Sequence, residues 1–193
     1  MISNNRDLRE RILKIAEKAI EFSSYFVYPN RFYGGTIGSR QTLHFYPNGY
    51  EIFDDNFPLA RKIADTMLQG LAEGKLVTPE IMPWRYLGYR IQEFLLAYID
   101  YKPTKISSDI KLPCEMEEMV RVFEEAGMLS VQKPRYYMVA NLVKGGVIKI
   151  FGPDGELIYN DCGVIGSLMS GKVVTPQWIE KSNNVMFKDG VAS

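Results

Sequence analysis

The chain has 193 residues, with 23 Lys and Arg against 23 Asp and Glu, a formal net charge of zero, and 46% hydrophobic residues. That balance excludes the disordered class and supplies no basic field to gather phosphate backbones, which argues against nucleic-acid binding. No run of about 18 apolar residues is present to span a membrane. The N-terminal stretch, rich in Arg, Lys and Glu, does not read as a secretory signal, so the expected location is cytoplasmic.

In chain order, Leu8, Ile12, Ile15, Ala16, Ala19, Phe22 and Phe26 keep helical spacing. They predict an amphipathic helix from Asn5 to Ser24, closed by Pro29. Residues 29–54 form an aromatic, glycine-rich loop, too long for a plain connector. Within it Pro47-Asn48-Gly49 is a turn signal, and Thr42 to Tyr46 and Tyr50 to Phe53 are expected to pair around it as a short hairpin. A second helix, capped by Asp55 or Asn56, takes Pro58 in its first turn. It runs through Leu59, Ile63, Ala64, Met67, Leu68 and Leu71 to a stop at Gly74. A third spans Pro83 to Tyr101, with Leu87, Ile91, Phe94, Leu95, Tyr98 and Ile99 as the expected buried face. After a polar stretch from Thr104 to Leu112, Pro113 opens a shorter helix with Met116, Met119, Val120 and Phe123, stopped by Gly127.

From Leu129 the pattern becomes extended. Strands are expected at Arg135 to Leu142, Val147 to Phe151, Glu156 to Tyr159, Val164 to Met169 and Lys172 to Thr175, with Asn184 to Phe187 as a further candidate. Turns fall at Lys144-Gly145-Gly146, Gly152-Pro153-Asp154-Gly155 and Ser170-Gly171. The predicted class is α+β: a helical part over 1–127, then an antiparallel β-meander, sandwich-like, over 128–193. The β part is short for an independent unit. It is expected to pack on the helices or on further chain, as a fragment, a homo-oligomer or part of a larger polypeptide.

The loop over residues 29–54 holds the only histidine, His44. If Thr42 to Tyr46 is extended, Thr42, His44 and Tyr46 share one face and Arg40 continues the row. A His moves protons near neutral pH, an Arg grips a carboxylate in two prongs, and a Tyr beside a cation can exchange its proton. Together they suit an acidic substrate. The catalytic candidates are therefore His44, Tyr46, Arg40 and Tyr33, with Asn48, Arg31 and Trp84 as substrate-binding candidates. The competing reading is structural, because a lone His among aromatics commonly belongs to the packing. Tyr33-Gly34-Gly35 either lets the backbone approach a ligand or is a plain turn; neither GxGxxG nor a Walker lysine accompanies it. Glu51, Asp54 and Asp55 lie too close in sequence for a good glycosidase pair, and Asp55 is better read as a cap. His44 with these acids lacks further metal ligands. Neither a metal nor a cofactor is expected. The aromatics from Tyr25 to Tyr50, with Trp84, Tyr86 and Tyr89, are either core or a sugar-stacking wall. Trp178 reads as a core anchor of the β part. Cys114 and Cys162 are either two buried thiols or a disulfide, and form no CxxC pair.

The helical hairpins followed by Arg135-Tyr-Tyr-Met-Val-Ala-Asn-Leu142, Lys144-Gly145-Gly146 and the turn Gly152 to Gly155 resemble the C-terminal portion of polysaccharide lyases of the heparinase and alginate-lyase kind. Those join an α/α toroid to a β-sandwich. The resemblance covers residues 57–175 and is one of architecture and strand texture. It implies β-elimination on an acidic polysaccharide, with Asn48, His44 and Arg40 neutralising the uronate carboxylate and Tyr46 or Tyr33 as base and acid. The carry-over is by residue type. A toroid needs many more helices than this chain offers, and family sites draw on several hairpins rather than one loop. The resemblance therefore implies a fragment or a derived non-catalytic relative. Two functions are expected: a carbohydrate-associated protein binding or cleaving an acidic saccharide, or a non-catalytic binding or scaffold domain packing on a protein partner.

Overall fold

A computed structural model describes residues 5–34, 46–76, 78–80, 82–103, 109–143, 146–161, 166–175, 186–188 and 191–192. The fold is α+β, with helices first and an antiparallel sheet after them. The chain forms two compact units: one holds the helices with Arg31–Tyr33, the other the sheet with Tyr28–Asn30.

Helix α1 is Arg6–Ser24, capped by Asn5, whose side chain accepts from the Leu8 N–H. Ala16 and Ile20 are buried, and Phe26 and Val27 follow them into the core. Leu8 and Ile15, predicted on the inner stripe, are exposed. An isolated bridge joins Val27 to Tyr33.

The hairpin expected around Pro47-Asn48-Gly49 is instead a short helix, α2, over Asn48–Glu51. Pro47 sits at φ −65° and ψ −36°, and its carbonyl accepts from the N–H groups of Tyr50 and Glu51 at 2.9 and 3.0 Å. Proline's fixed φ suits a helix entry, and neither Asn48 nor Gly49 adopts the positive φ that a hairpin turn requires. Its other arm, Thr42 to Phe45, lies outside the described residues.

Helix α3, Pro58–Ala72, begins at Pro58 as predicted, but its cap is Phe57 with no side-chain bond, rather than Asp55 or Asn56. Asp55 is instead held by Lys102. Ala60, Ile63, Ala64 and Met67 are fully buried, a single stripe at i, i+3, i+4 and i+7. Gly74 ends the helix at φ +67°, as a C-cap glycine does.

Helix α4, Trp84–Asp100, has the predicted extent but not the predicted orientation: Ala97 is its one buried residue. Ile91, Leu95, Tyr98 and Ile99 are exposed. Leu87 and Phe94 are half-buried. The inner row is the smaller one, built from Leu87, Phe94 and Ala97, and the larger apolar row faces outward.

The shorter helix expected after Pro113 is a 3-10 turn, Pro113–Glu115, followed by strand β1, Met119–Phe123. Val120, Val122 and Phe123 are β-branched or aromatic and favour extended chain. β1 pairs in full with β2, Met128–Lys133, across a turn closed by Gly127 at φ +57°. β3, Tyr136–Asn141, β4, Val147–Phe151, and β5, Leu157–Asp161, complete a sheet of order β1-β2-β3-β4-β5, antiparallel throughout. Short pairs follow: β6, Gly166–Ser167, with β7, Val173–Val174, and β8, Phe187–Lys188, with β9, Val191–Ala192.

The buried face of the sheet alternates as strand geometry demands: Tyr137, Val139 and Asn141 on β3, and Val147, Lys149 and Phe151 on β4. Two of its buried polar groups pair across the strands. The Ser130 hydroxyl donates to Tyr137 Oη at 2.9 Å, and Lys149 Nζ donates to Asn160 Oδ1 at 2.8 Å. Tyr28 lies on Phe151, ring centres 4.6 Å apart. Gly155, at φ +80°, sits so close to Pro29 that an added Cβ would lie 3.0 Å from its carbonyl carbon.

Candidate functional site

Three of the residues singled out in the sequence meet in the helical unit. Tyr33, Tyr46 and Asn48 line a groove of about 450 Å³ with Ser23, Tyr50 and Glu93. The α2 turn places Asn48 and Tyr50 there, and the Val27–Tyr33 bridge presents Tyr33, whose ring meets that of Tyr50 edge-on at 6.1 Å. Arg90 of α4 stacks on the rings of Tyr46 and Tyr86 at 4.6 and 5.3 Å. Burial first, then the neighbouring Tyr33, pushes the Tyr50 hydroxyl well above the ordinary tyrosine range. It keeps its proton at neutral pH and serves as a packed hydrogen-bonding group, not as a base.

The other predicted residues go elsewhere. Arg31 adopts φ +70°, and its guanidinium reaches the end of α3, with Nε 3.1 Å from Glu73 Oε2 and Nη1 2.9 Å from Gln69 Oε1. Gly70 makes room for it: an added Cβ there would lie 2.7 Å from the Arg31 Cβ. Trp84 is 89% exposed at the start of α4 and does not line the groove. His44 and Arg40 lie outside the described residues, as do Gly35 and Cys162. Cys114 is half-buried in the 3-10 turn.

The acids noted near Glu51 form a charged cluster behind the groove. Arg61 places Nη1 3.3 Å from Asp54 Oδ2 and Nε 2.9 Å from Asp65 Oδ1, and its guanidinium lies 4.9 Å from the centre of the Tyr101 ring. Lys102 bridges Asp54 and Asp55 at 2.9 and 2.7 Å. Glu51 is 1% exposed, and neither of its carboxylate oxygens has a hydrogen-bond partner among the described residues. Burial pushes its carboxyl up to about 7; Arg61 opposes that rise, while Asp100, Asp65 and Asp54 add to it. A carboxyl that titrates near neutrality could exchange a proton, but this one is sealed from any substrate. Its surroundings tie α2, α3 and the end of α4 together. Among the described residues no cluster of His, Cys, Asp and Glu is placed to hold a metal ion, and no helix is long and apolar enough to cross a membrane.

The feature that the sequence reading misplaced is the outer face of α4. Trp84, Tyr98, Ile99 and Tyr89 are 89, 84, 71 and 67% exposed, and Ile91, Leu95 and Leu96 join them. Beside this face, between α3 and α4, runs a groove of about 570 Å³ lined by Leu68, Leu71, Ala72, Phe94, Tyr98 and Tyr101, among others. The signal was present in the sequence: over the 17 residues of α4 only Arg85, Arg90, Glu93 and Asp100 are charged. A helix apolar on all sides is normally buried on all sides. No protein-family model, curated protein or solved structure matches this chain.

Proposed function

We propose that this chain is a non-catalytic interaction module that receives an amphipathic helix of a protein partner on α4 and in the groove beside it. One observation carries the reading: α4 turns its larger apolar row outward. Exposed apolar patches of this extent mark interaction surfaces, and helices seat in apolar grooves through residues spaced at i, i+3, i+4 and i+7. The test is thermal melting of a Leu95→Ser/Ile99→Ser double variant beside the wild type, both at a protein concentration low enough that association adds nothing to the melt. A free docking face tolerates both changes, with a stability change of about 0.5 kcal/mol or less per site. A loss of several kcal/mol would show that the chain's own fold covers the row, and would remove the reading.

A second reading, an acidic saccharide held in the groove of Tyr33, Tyr46 and Asn48, draws on the convergence of those three residues. Aromatic rings pack on sugar faces, and Asn and Glu can bond hydroxyls. Under this reading the resemblance to polysaccharide lyases extends to ligand class and not to chemistry. A thermal-shift screen against uronic-acid oligosaccharides, with Tyr46→Ala alongside, tests it: a ligand that binds the native state raises the melting temperature. No rise in the wild type removes it.

A further inference from the structure

The outer row of α4 is complementary to itself. Trp84, Gly88, Ile91, Leu95 and Tyr98 follow one another at alternating steps of four and three residues, the spacing of a helix–helix seam. The row contains no charged residue. Its one gap is Gly88, which has nothing within 4 Å of where a Cβ would lie. A glycine in mid-helix weakens the helix, and no neighbour among the described residues requires it. When two copies of the row run antiparallel, Tyr98 of one falls opposite Gly88 of the other, and Ile91 falls opposite Leu95. A protruding ring thus meets the notch, the two-fold axis falls at the level of position 93, and Trp84 reaches past the end of the partner's helix.

The area reaches the low end of what a stable interface needs. At about 200 Å² per aromatic side chain, the exposed parts of Trp84 and Tyr98 offer roughly 350 Å². Ile91, Leu95 and the flanking Ile99 bring the row to on the order of 600 Å² for each partner, about 1,200 Å² in all.

The geometry points to a second copy of this chain as the occupant, paired α4 to α4 about a two-fold axis with Tyr98 seated over Gly88. This rests on the reading of α4 as a docking face. It is isologous: one patch serves both copies.

Sedimentation of the intact chain over a concentration series, up to about 100 µM, tests the pairing. The expected result is a species of twice the chain's mass. Gly88→Leu, which fills the notch in open space, should weaken the dimer by roughly tenfold or more without lowering the melting temperature at low concentration. Adding Tyr98→Ala to Gly88→Leu should recover dimer, because the large and small positions are exchanged. A monomer throughout the series overturns the inference. So does a dimer indifferent to Gly88→Leu, which must form elsewhere. The melt of Leu95→Ser/Ile99→Ser separates this failure from failure of the docking reading. An unchanged melt with a monomeric wild type leaves α4 open to a different helix, whereas a destabilised one removes both.

Discussion

Helices α3 and α4 are nearly equal in length and comparably rich in apolar residues, yet they have opposite fates. α3 buries Ala60, Arg61, Ile63, Ala64, Thr66, Met67 and Gly70, while α4 buries Ala97. α3 has one apolar stripe, so its orientation has one solution. α4 has two, and the chain covers the weaker of them. Periodicity announces that a helix has a side to hide; it does not name the surface that will hide it.

The sharpest test of this contrast is Arg61→Leu on α3. It would leave Asp54, whose side chain is almost wholly buried, with Lys102 alone and Asp65 without its guanidinium; unpairing a buried charge costs about 3–5 kcal/mol, and the Lys102 bridge retains part of that. Chemical denaturation measures it, and a cost under ~1 kcal/mol would mean that water reaches the cluster. Next is a matched pair. Met67→Ala on α3 should cost about 2–5 kcal/mol, and Leu95→Ala on α4 about 0.5 kcal/mol or less in the monomer. Equal costs would erase the distinction between the helices.

The third test uses pH. The Glu51 carboxyl sits at about 7 in the fold against 4.5 for an ordinary glutamate. The native state therefore holds its proton more tightly than the unfolded chain. Its contribution is fully present below pH 4.5 and is lost as pH rises through 7, a fall of up to ~3 kcal/mol. The stability difference between wild type and Glu51→Gln should change across that window and be flat above it; a difference flat from pH 4 upward would sink the assignment. The smallest effect is Gly88→Ala, which should stabilise the monomer by about 0.5–1 kcal/mol. A loss there would mean that something within the chain already lies against Gly88.

Much of the fold was legible. The extent of α1 from Asn5 to Ser24, Pro58 and Gly74 as the limits of α3, and the β3–β4 pair with the turn from Gly152 to Gly155 follow from local chemistry alone. The failures are places where two local signals compete. Pro47-Asn48-Gly49 encodes both a hairpin turn and a helix entry, and Pro47's preset φ decided for the helix. Met116 to Phe123 has helical spacing in its apolar residues but β-branched character at Val120 and Val122, and pairing with β2 decided for the strand. At the site, Tyr33, Tyr46 and Asn48 do come together, but through a helical turn and not along a strand. Arg31 was read as substrate-binding because an arginine in a glycine-rich loop looks available, and nothing local reveals Glu73 and Gln69 waiting on α3.

The stacking of Tyr28 on Phe151 has a consequence for dissection. Tyr28–Asn30 belong to the same compact unit as the sheet, although the rest of that unit's described secondary structure begins at Pro113. A cut in the linker before Pro113 therefore does not yield two self-sufficient halves. The C-terminal piece would present a bare Phe151, and the N-terminal piece would carry away the ring that covers it. Expressed together, the two pieces should find one another through that ring; expressed alone, the C-terminal piece should be prone to aggregate. Within this unit the strands pair with their neighbours in sequence, so Tyr28 against Phe151 is a contact of long sequence separation, the kind that slows folding.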